Sequence, residues 1–582
     1  MTHPGDRQQR ERVDGALPAA GPKPVQRPRR IGWALAIAPL LVTFALYARG
    51  LHGAFVIDDG TFFIENDVMP KLGLTDAWRV FLGPNNPWGD FQPIRDLLLV
   101  AEHSLFGSET VGYHVVSIVL YALACALVFV LVREVHARRG GQTAADRSRG
   151  AVAALATAAL FAAHPVHVET VAYVTGQKDI LAGVLSLAAL IAFHRAFDGR
   201  ERRAATLAAG VAFYYLGLLT KQTAIVLVVL VPLLYLLSDA ARRPRWLASC
   251  VVWVIVNVPA ALWMIVSRAA FQALWHRNSE LNATPLLQRI PLALEVLGAH
   301  ARLAVKPFPL SFGYPFGSSP GLDANLIAGA LTLLALIAVA VRFRKDALVV
   351  LGAATFLLPL VPILQLHGSL NNASVYDRYL FLPVLGLAIL FERLASALFL
   401  RRVGSRPLYA ATVGAAVVAG SVLTVSYVPA FASDVAVSRN SHQRFPAWRR
   451  AAFEHACALI EAGQLDEAAS LVQREESFSS PPWVRGYLAG WILLERGDLD
   501  AAIPTLSSAS LMARIGGYFP FPSVPLGRAL VRAGRLAEAE RELRYPLVAA
   551  VYQPLEIYRA RKLLESVVRM RAAAPEASAS HE

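Results

Sequence analysis

The sequence predicts an all-α fold, a polytopic membrane bundle of about eleven hydrophobic helices followed by a C-terminal helical-repeat domain. Three observations predict it. Hydrophobic residues make up 55% of the 582 residues, charged residues only 17%, and the mean hydropathy is +0.45, which is high for a soluble chain. The apolar residues arrive in runs near the length of a bilayer helix, roughly 20 residues. Near the end a Gly-x-Leu-x-x-Ala pattern recurs at Gly463, Gly497 and Gly534, spaced by 34 and 37 residues.

The apolar runs begin at Ile31, Tyr113, Ile180, Trp246, Leu326, Ala347, Tyr379 and Leu408, with shorter ones at Ala151, Ala205 and Ala224. The first follows Arg27, Arg29 and Arg30 and leads into Arg49-Gly50-Leu51-His52 rather than a small-residue cleavage site, so it reads as an uncleaved anchor. Basic residues cluster in alternate connections: Arg7 to Arg30, Arg133 to Arg149, Arg195 to Arg203, Arg242 to Arg245, Arg342 to Lys345 and Arg401 to Arg406. These face the cytoplasm by the positive-inside rule, which puts the other connections and everything after Tyr427 outside. The segment Leu286 to Val305 carries Arg289, Glu295, His300 and Arg302 and reads as a surface-lying or re-entrant helix.

The boundaries that follow are a disordered cytoplasmic basic tail at 1–30, a transmembrane domain at 31–430 with its first outer loop at 49–112, a repeat domain at 431–571 and a disordered tail at 572–582. A bacterial inner membrane, with the repeats extracytoplasmic, is the expected location. The formal charge of +14 sits in the short connections, where it sets topology, so no nucleic-acid partner is expected. Cys125, Cys250 and Cys457 offer no pair for a disulfide framework.

The period of the C-terminal pattern resembles that of tetratricopeptide repeats, an α-solenoid. Glycine permits the turn between paired helices and alanine lets them pack closely. Such a surface suits a protein or peptide acceptor.

Ionisable groups beside apolar spans are costly to place and therefore informative. After the first span comes Phe55-Val56-Ile57-Asp58-Asp59-Gly60, an acidic pair able to supply a base for a hydroxyl or a ligand pair for a divalent metal. Gln92, Arg95 and His114 follow on the same side. His164, His167 and Glu169 form the next outer loop with Lys178 and Asp179; Pro165 interrupts the histidine face, so a substrate cavity is the preferred reading over zinc. Lys221, Tyr376 and Arg378 lie at the same surface as Asp58, and the two cations suit a lipid phosphate.

As a set, several pieces resemble the transmembrane and TPR repeat-containing O-mannosyltransferases of the GT-C class and their bacterial relatives. They are Phe55 to Asp59, Gln92-Pro93, Gly112-Tyr113-His114, Ala163 to Ala172, Gly176 to Asp179, Leu219 to Gln222 and Asp377 to Pro383. The resemblance implies a GT-C-like membrane domain that moves a sugar, mannose or a similar hexose, from a polyprenyl phosphate to a protein hydroxyl with inversion. It further implies Asp58 as the base, Asp59 as its support, and Lys221 and Arg378, with Arg95 nearby, as groups on the donor phosphate. Gln92, Gln177-Lys178 and Gln222 depart from the family pattern. No cofactor is implied beyond a possible divalent metal, and the partners are the lipid-linked donor, the acceptor and membrane lipids. A transporter or flippase, and an oligosaccharide ligase, are the competing readings.

Overall fold

The computed structural model describes residues 33–60, 62, 66, 71–83, 90–137, 143–198, 203–237, 251–262, 286–315, 323–364, 375–518, 520–548 and 554–579. The expected basic tail, the basic stretch Arg242 to Arg245 and residues 267–285 and 316–322 of the outer segment lie outside the described residues. Residues 1–38 form a unit of their own, of which the described part is the beginning of helix α1; all else described below belongs to the second unit, 39–582.

All regular structure among the described residues is helical. In chain order the first half carries α1 (Trp33–Tyr47), α2 (Asp58–Gly60), α3 (Pro93–Phe106), α4 (Thr110–Ala137), α5 (Ala144–Ala163), α6 (Val168–Ala172), α7 (Gln177–Asp198), α8 (Arg203–Thr220), α9 (Leu227–Leu237) and α10 (Val251–Leu262). Then come α11 (Leu286–Val305), α12 (Ala324–Arg342), α13 (Ala347–Leu357), α14 (Phe381–Ala395) and α15 (Arg406–Tyr427). A helix lies on each expected apolar run. Among the described residues, six helical segments are long and apolar enough to cross a membrane, or seven if α5 and the bent continuation through α6 make one span. Three shorter apolar helices start at Gln222, Val251 and Ala347.

Sequence explains how these helices pack. Helices α7 and α8, α4 and α5, and α13 and α14 lie against one another. In α11 and α12, Gly298 and Gly329 meet so closely that a side chain on either would strike opposing backbone, at Asn325 and Leu294 respectively. Small residues at such crossings let helices approach where lipid offers no hydrophobic drive. The outward residues of α12, Leu331, Leu334, Ile337 and Val341, are exposed, as suits a lipid-facing stripe. Polar Arg289, Glu295 and His300 of α11 are instead buried against protein, and α11 falls outside the six candidate spans.

The C-terminal half continues with α16 (Asp434–Arg444), α17 (Arg449–Glu461), α18 (Leu465–Arg474), α19 (Trp483–Arg496), α20 (Leu499–Ile515), α21 (Ser523–Arg532), α22 (Leu536–Val548) and α23 (Pro554–Ala579). Gly463, Gly497 and Gly534 sit in the turns before α18, α20 and α22 with φ of 72°, 84° and 74°, the left-handed conformation that glycine adopts without steric cost. Each motif alanine, Ala468, Ala502 and Ala539, is fully buried in the core of stacked helices. Helix α23 runs through Ala579, past residue 571, where the repeat domain was expected to end.

Candidate active site

The site is built where the segment after α1 meets the turn between α6 and α7. Asp59 is fully buried, and its two oxygens accept four hydrogen bonds: from the backbone N–H of Val56 (3.1 Å) and Val174 (3.3 Å), and from the N–H (2.7 Å) and hydroxyl (2.5 Å) of Thr175. Burial outweighs these donors and pushes its carboxyl up to about 7. Asp59 therefore fastens two segments that are distant in sequence. Asp58, next to it on α2, is half-buried. The buried phenol of Tyr173 interacts electrostatically with Asp58, Asp59 and Arg378.

The approach to Asp58 is strained. Ile57 has φ 57°, a conformation costing a β-branched residue of order 1–3 kcal/mol. Its N–H donates to Asp434 of α16 (2.6 Å), and Ala54 N–H donates to Ala432 carbonyl oxygen (3.0 Å).

Both expected phosphate cations are partnered by carboxylates. Arg378 pairs with the fully buried Glu169 through its guanidinium and its own backbone N–H, the latter at 3.1 Å. It stacks on Tyr376, 3.8 Å from the ring centre. Lys221 pairs with Asp179 and lies 5.8 Å from the Tyr379 ring centre, while Arg378 lies 5.5 Å from the same ring. Lys178 feels Lys221, Arg95, Asp90 and Asp179 electrostatically, which joins the first loop to this cluster. The side chains of Arg378 and Lys221 remain 17% and 12% exposed, and each has N–H donors beyond those its carboxylate takes.

Arg95 is placed differently from its expected phosphate role. Its guanidinium is buried, grips Asp90 through two nitrogens (2.8 and 3.3 Å), bonds Asp96 (2.7 Å) and Gln92 (3.1 Å), and faces Phe62. All three nitrogens are engaged, so Arg95 and Gln92 organise the loop from within. The histidines also serve as ties: His114 meets Gly53 carbonyl oxygen (3.1 Å), His164 that of Ala304 (2.9 Å), and His167 both the Tyr121 hydroxyl (2.6 Å) and Phe381 carbonyl oxygen (3.3 Å). No group of three or more His, Cys, Asp or Glu side chains among the described residues is arranged to hold a metal ion.

Sequence reasoning missed Tyr173, Thr175, Asp377 and Asp434. Asp377 is fully buried and accepts from the Tyr314 hydroxyl at 2.8 Å, with its second oxygen unpartnered. Glu102, buried and bonded to Gln177 (2.9 Å), was also missed; burial pushes its carboxyl up to about 8. Their signal was present only as single polar residues in apolar surroundings.

Residues 92–267 match the family described as dolichyl-phosphate-mannose-protein mannosyltransferase. The chain is 31% identical over 208 residues to protein O-mannosyl-transferase Tmtc1 of Drosophila melanogaster, covering 35% of this chain and 23% of that one. It is 24% identical over 386 residues to protein O-mannosyl-transferase F38B6.6 of Caenorhabditis elegans, covering 63% and 53%. It is 31% identical over 189 residues to protein O-mannosyl-transferase TMTC1 of Homo sapiens, covering 31% and 20%. The matched regions thus span from about a fifth to about half of these relatives' length. No solved structure matches. With its apolar helices and these relatives, the chain is an integral membrane protein.

Proposed function

We propose, from the premise that this chain belongs to the TMTC- and PMT-like family of GT-C O-mannosyltransferases, that it is itself a protein glycosyltransferase. It transfers mannose or a similar hexose from a polyprenyl-phosphate-linked donor to a protein hydroxyl on the extracytoplasmic face. The observation that carries this reading is the division of labour between adjacent carboxylates: Asp59 is buried under four donors, Asp58 beside it is half-buried, and Tyr173 interacts electrostatically with both and with Arg378.

Asp58 takes the proton of the acceptor hydroxyl as its oxygen attacks the anomeric carbon. The bond from that carbon to the phosphate oxygen breaks, its electron pair leaves with the phosphate, and configuration inverts. Arg378 and Lys221 stabilise the charge growing on the departing phosphate. Tyr376 and Glu169 hold the Arg378 guanidinium plane, and Asp179 holds Lys221, so little reorganisation is needed when the donor arrives. The repeat domain presents the acceptor.

Purified protein in liposomes, supplied with labelled polyprenyl-phosphate mannose and a Ser/Thr-rich peptide, tests the reading. Label appearing on the peptide as a single hexose is expected. Movement of the donor between leaflets with no label on any peptide would overturn it in favour of transport, and whole glycan chains on the peptide would identify a ligase.

A further inference from the structure

We propose that Asp434 is a positioning residue for Asp58, so that the first helix of the C-terminal domain is part of the active site. This rests on the reading of Asp58 as the base. The carboxylate of Asp434 sits at the start of α16, 377 residues from its partner, and accepts the Ile57 N–H at 2.6 Å. That is short for a bond to a backbone amide, as expected when the acceptor is charged. Ile57 immediately precedes Asp58 and carries the positive φ that its branched side chain disfavours. Left to itself the residue would relax to an extended or right-handed conformation and turn Asp58 elsewhere. The hold on the Ile57 amide, with the Ala54 to Ala432 backbone bond beside it at 3.0 Å, keeps the strained conformer in place.

The surroundings of Asp434 fit that single task. Ser433 caps α16 by accepting the Ala436 N–H (3.2 Å), which frees Asp434 from capping. Burial raises the Asp434 carboxyl, the bond from the Ile57 N–H lowers it, and Asp58 acts on it as a like charge. Behind it, Ser438 of α16 contacts His455 of α17 at 3.1 Å, which ties the Asp434 helix to the body of the repeat domain. A load on the repeats thereby reaches the catalytic loop through the Ser438–His455 contact, one short helix and the bonds to Ile57 and Ala54.

The test uses the full chain in liposomes with polyprenyl-phosphate hexose and an acceptor peptide, comparing Asp434→Ala, Asp434→Asn and Asp58→Asn. A misplacement of about 1 Å in a reacting group can cost on the order of 10²-fold in rate. Asp434→Ala is therefore expected to lower kcat on that scale with the donor KM nearly unchanged. Asp434→Asn keeps an oxygen for the Ile57 amide and is expected to restore most of kcat. Hydrogen exchange across residues 54–60 should accelerate in the alanine variant and stay near wild type in the asparagine one. Should Asp434→Ala fail to assemble, Asp434→Ser, which places its oxygen too far back, carries the same expectation. Normal kcat in Asp434→Ala beside an inactive Asp58→Asn would overturn the proposal and leave the proposed function standing. Lost activity with unchanged exchange would also overturn it, and an active Asp58→Asn would overturn both.

Discussion

Charged side chains live in opposite surroundings in the two halves of this protein. In the loop layer around Asp58, carboxylates such as Asp59, Glu169 and Asp377 are fully buried, and each is met by donors that come from elsewhere in the chain. In the repeat domain ion pairs such as Arg439 with Glu467 and Arg535 with Glu538 lie on the surface, and the core is mostly alanine, leucine and aromatic rings, with a few polar groups such as Ser510 and Ser523 bonded to Glu542. Both halves are packed on apolar cores, but only the loop layer around Asp58 adds fully buried carboxylates with cross-chain donors. The difference teaches where function resides: evolution tolerates buried charge mainly where it serves a site.

The contrast can be broken most forcefully at the Arg378 pair. Glu169→Gln leaves a guanidinium buried without its counter-charge, and unpairing of this kind typically costs about 3–5 kcal/mol. A large fall in thermal stability in detergent is expected, with transfer activity lost as well. In the repeat domain, Leu506→Ala at a fully buried position should cost about 2–5 kcal/mol by cavity formation, measured by the same melt, while donor binding is retained.

Packing inside the membrane half is sharpened at Gly298. Gly298→Val forces α11 away from Asn325 of α12 and should destabilise the bundle by roughly 1–3 kcal/mol. An earlier or broadened size-exclusion elution with a lower melting temperature would show it.

Asp59 and His455, one in each half, respond to acidity with opposite signs. Asp59 is pushed up to about 7 by burial, so the folded state holds its proton more tightly than the unfolded one. Its contribution is greatest below the ordinary carboxylate range and is lost as pH rises from about 4 to 7. His455 is pushed down to about 4 by burial and then by His442, so its contribution is present above the ordinary histidine value and is lost as pH falls from about 6.5 to 4. Melting temperature followed across this window should lose one slope in Asp59→Asn and the opposite slope in His455→Phe. The smallest effect belongs to the surface: Arg439→Ala should change stability by about 0–1 kcal/mol, as exposed pairs do.

Most of the architecture was legible in the residues. Every apolar run carries a helix, because a stretch of that length and composition has little other way to satisfy its backbone in lipid. The turns at Gly463, Gly497 and Gly534 were legible for a similar reason, since their positive φ excludes most other residues. For the candidate site, topology puts Asp58 and Arg378 on one side of the membrane, but it does not say that Asp59 is sealed by Val174 and Thr175, 115 and 116 residues away. An arginine beside apolar spans suits a phosphate and a buried carboxylate equally well, and the sequence could not show that Asp90 and Asp96 stand around Arg95. The carbonyl partners of His114, His164 and His167 carry no side-chain signature and were likewise not legible.

The most direct measurement sets Asp58→Asn against Asp59→Asn in one assay, recording the rate of sugar transfer per folded molecule together with the melting temperature. Loss of a general base costs about 10²- to 10⁴-fold in rate. Asp58→Asn is expected to fall by that much with a native melting temperature, while Asp59→Asn shifts the melt. Wild-type transfer by Asp58→Asn would contradict the assignment of the base and with it the chemistry proposed for the pocket.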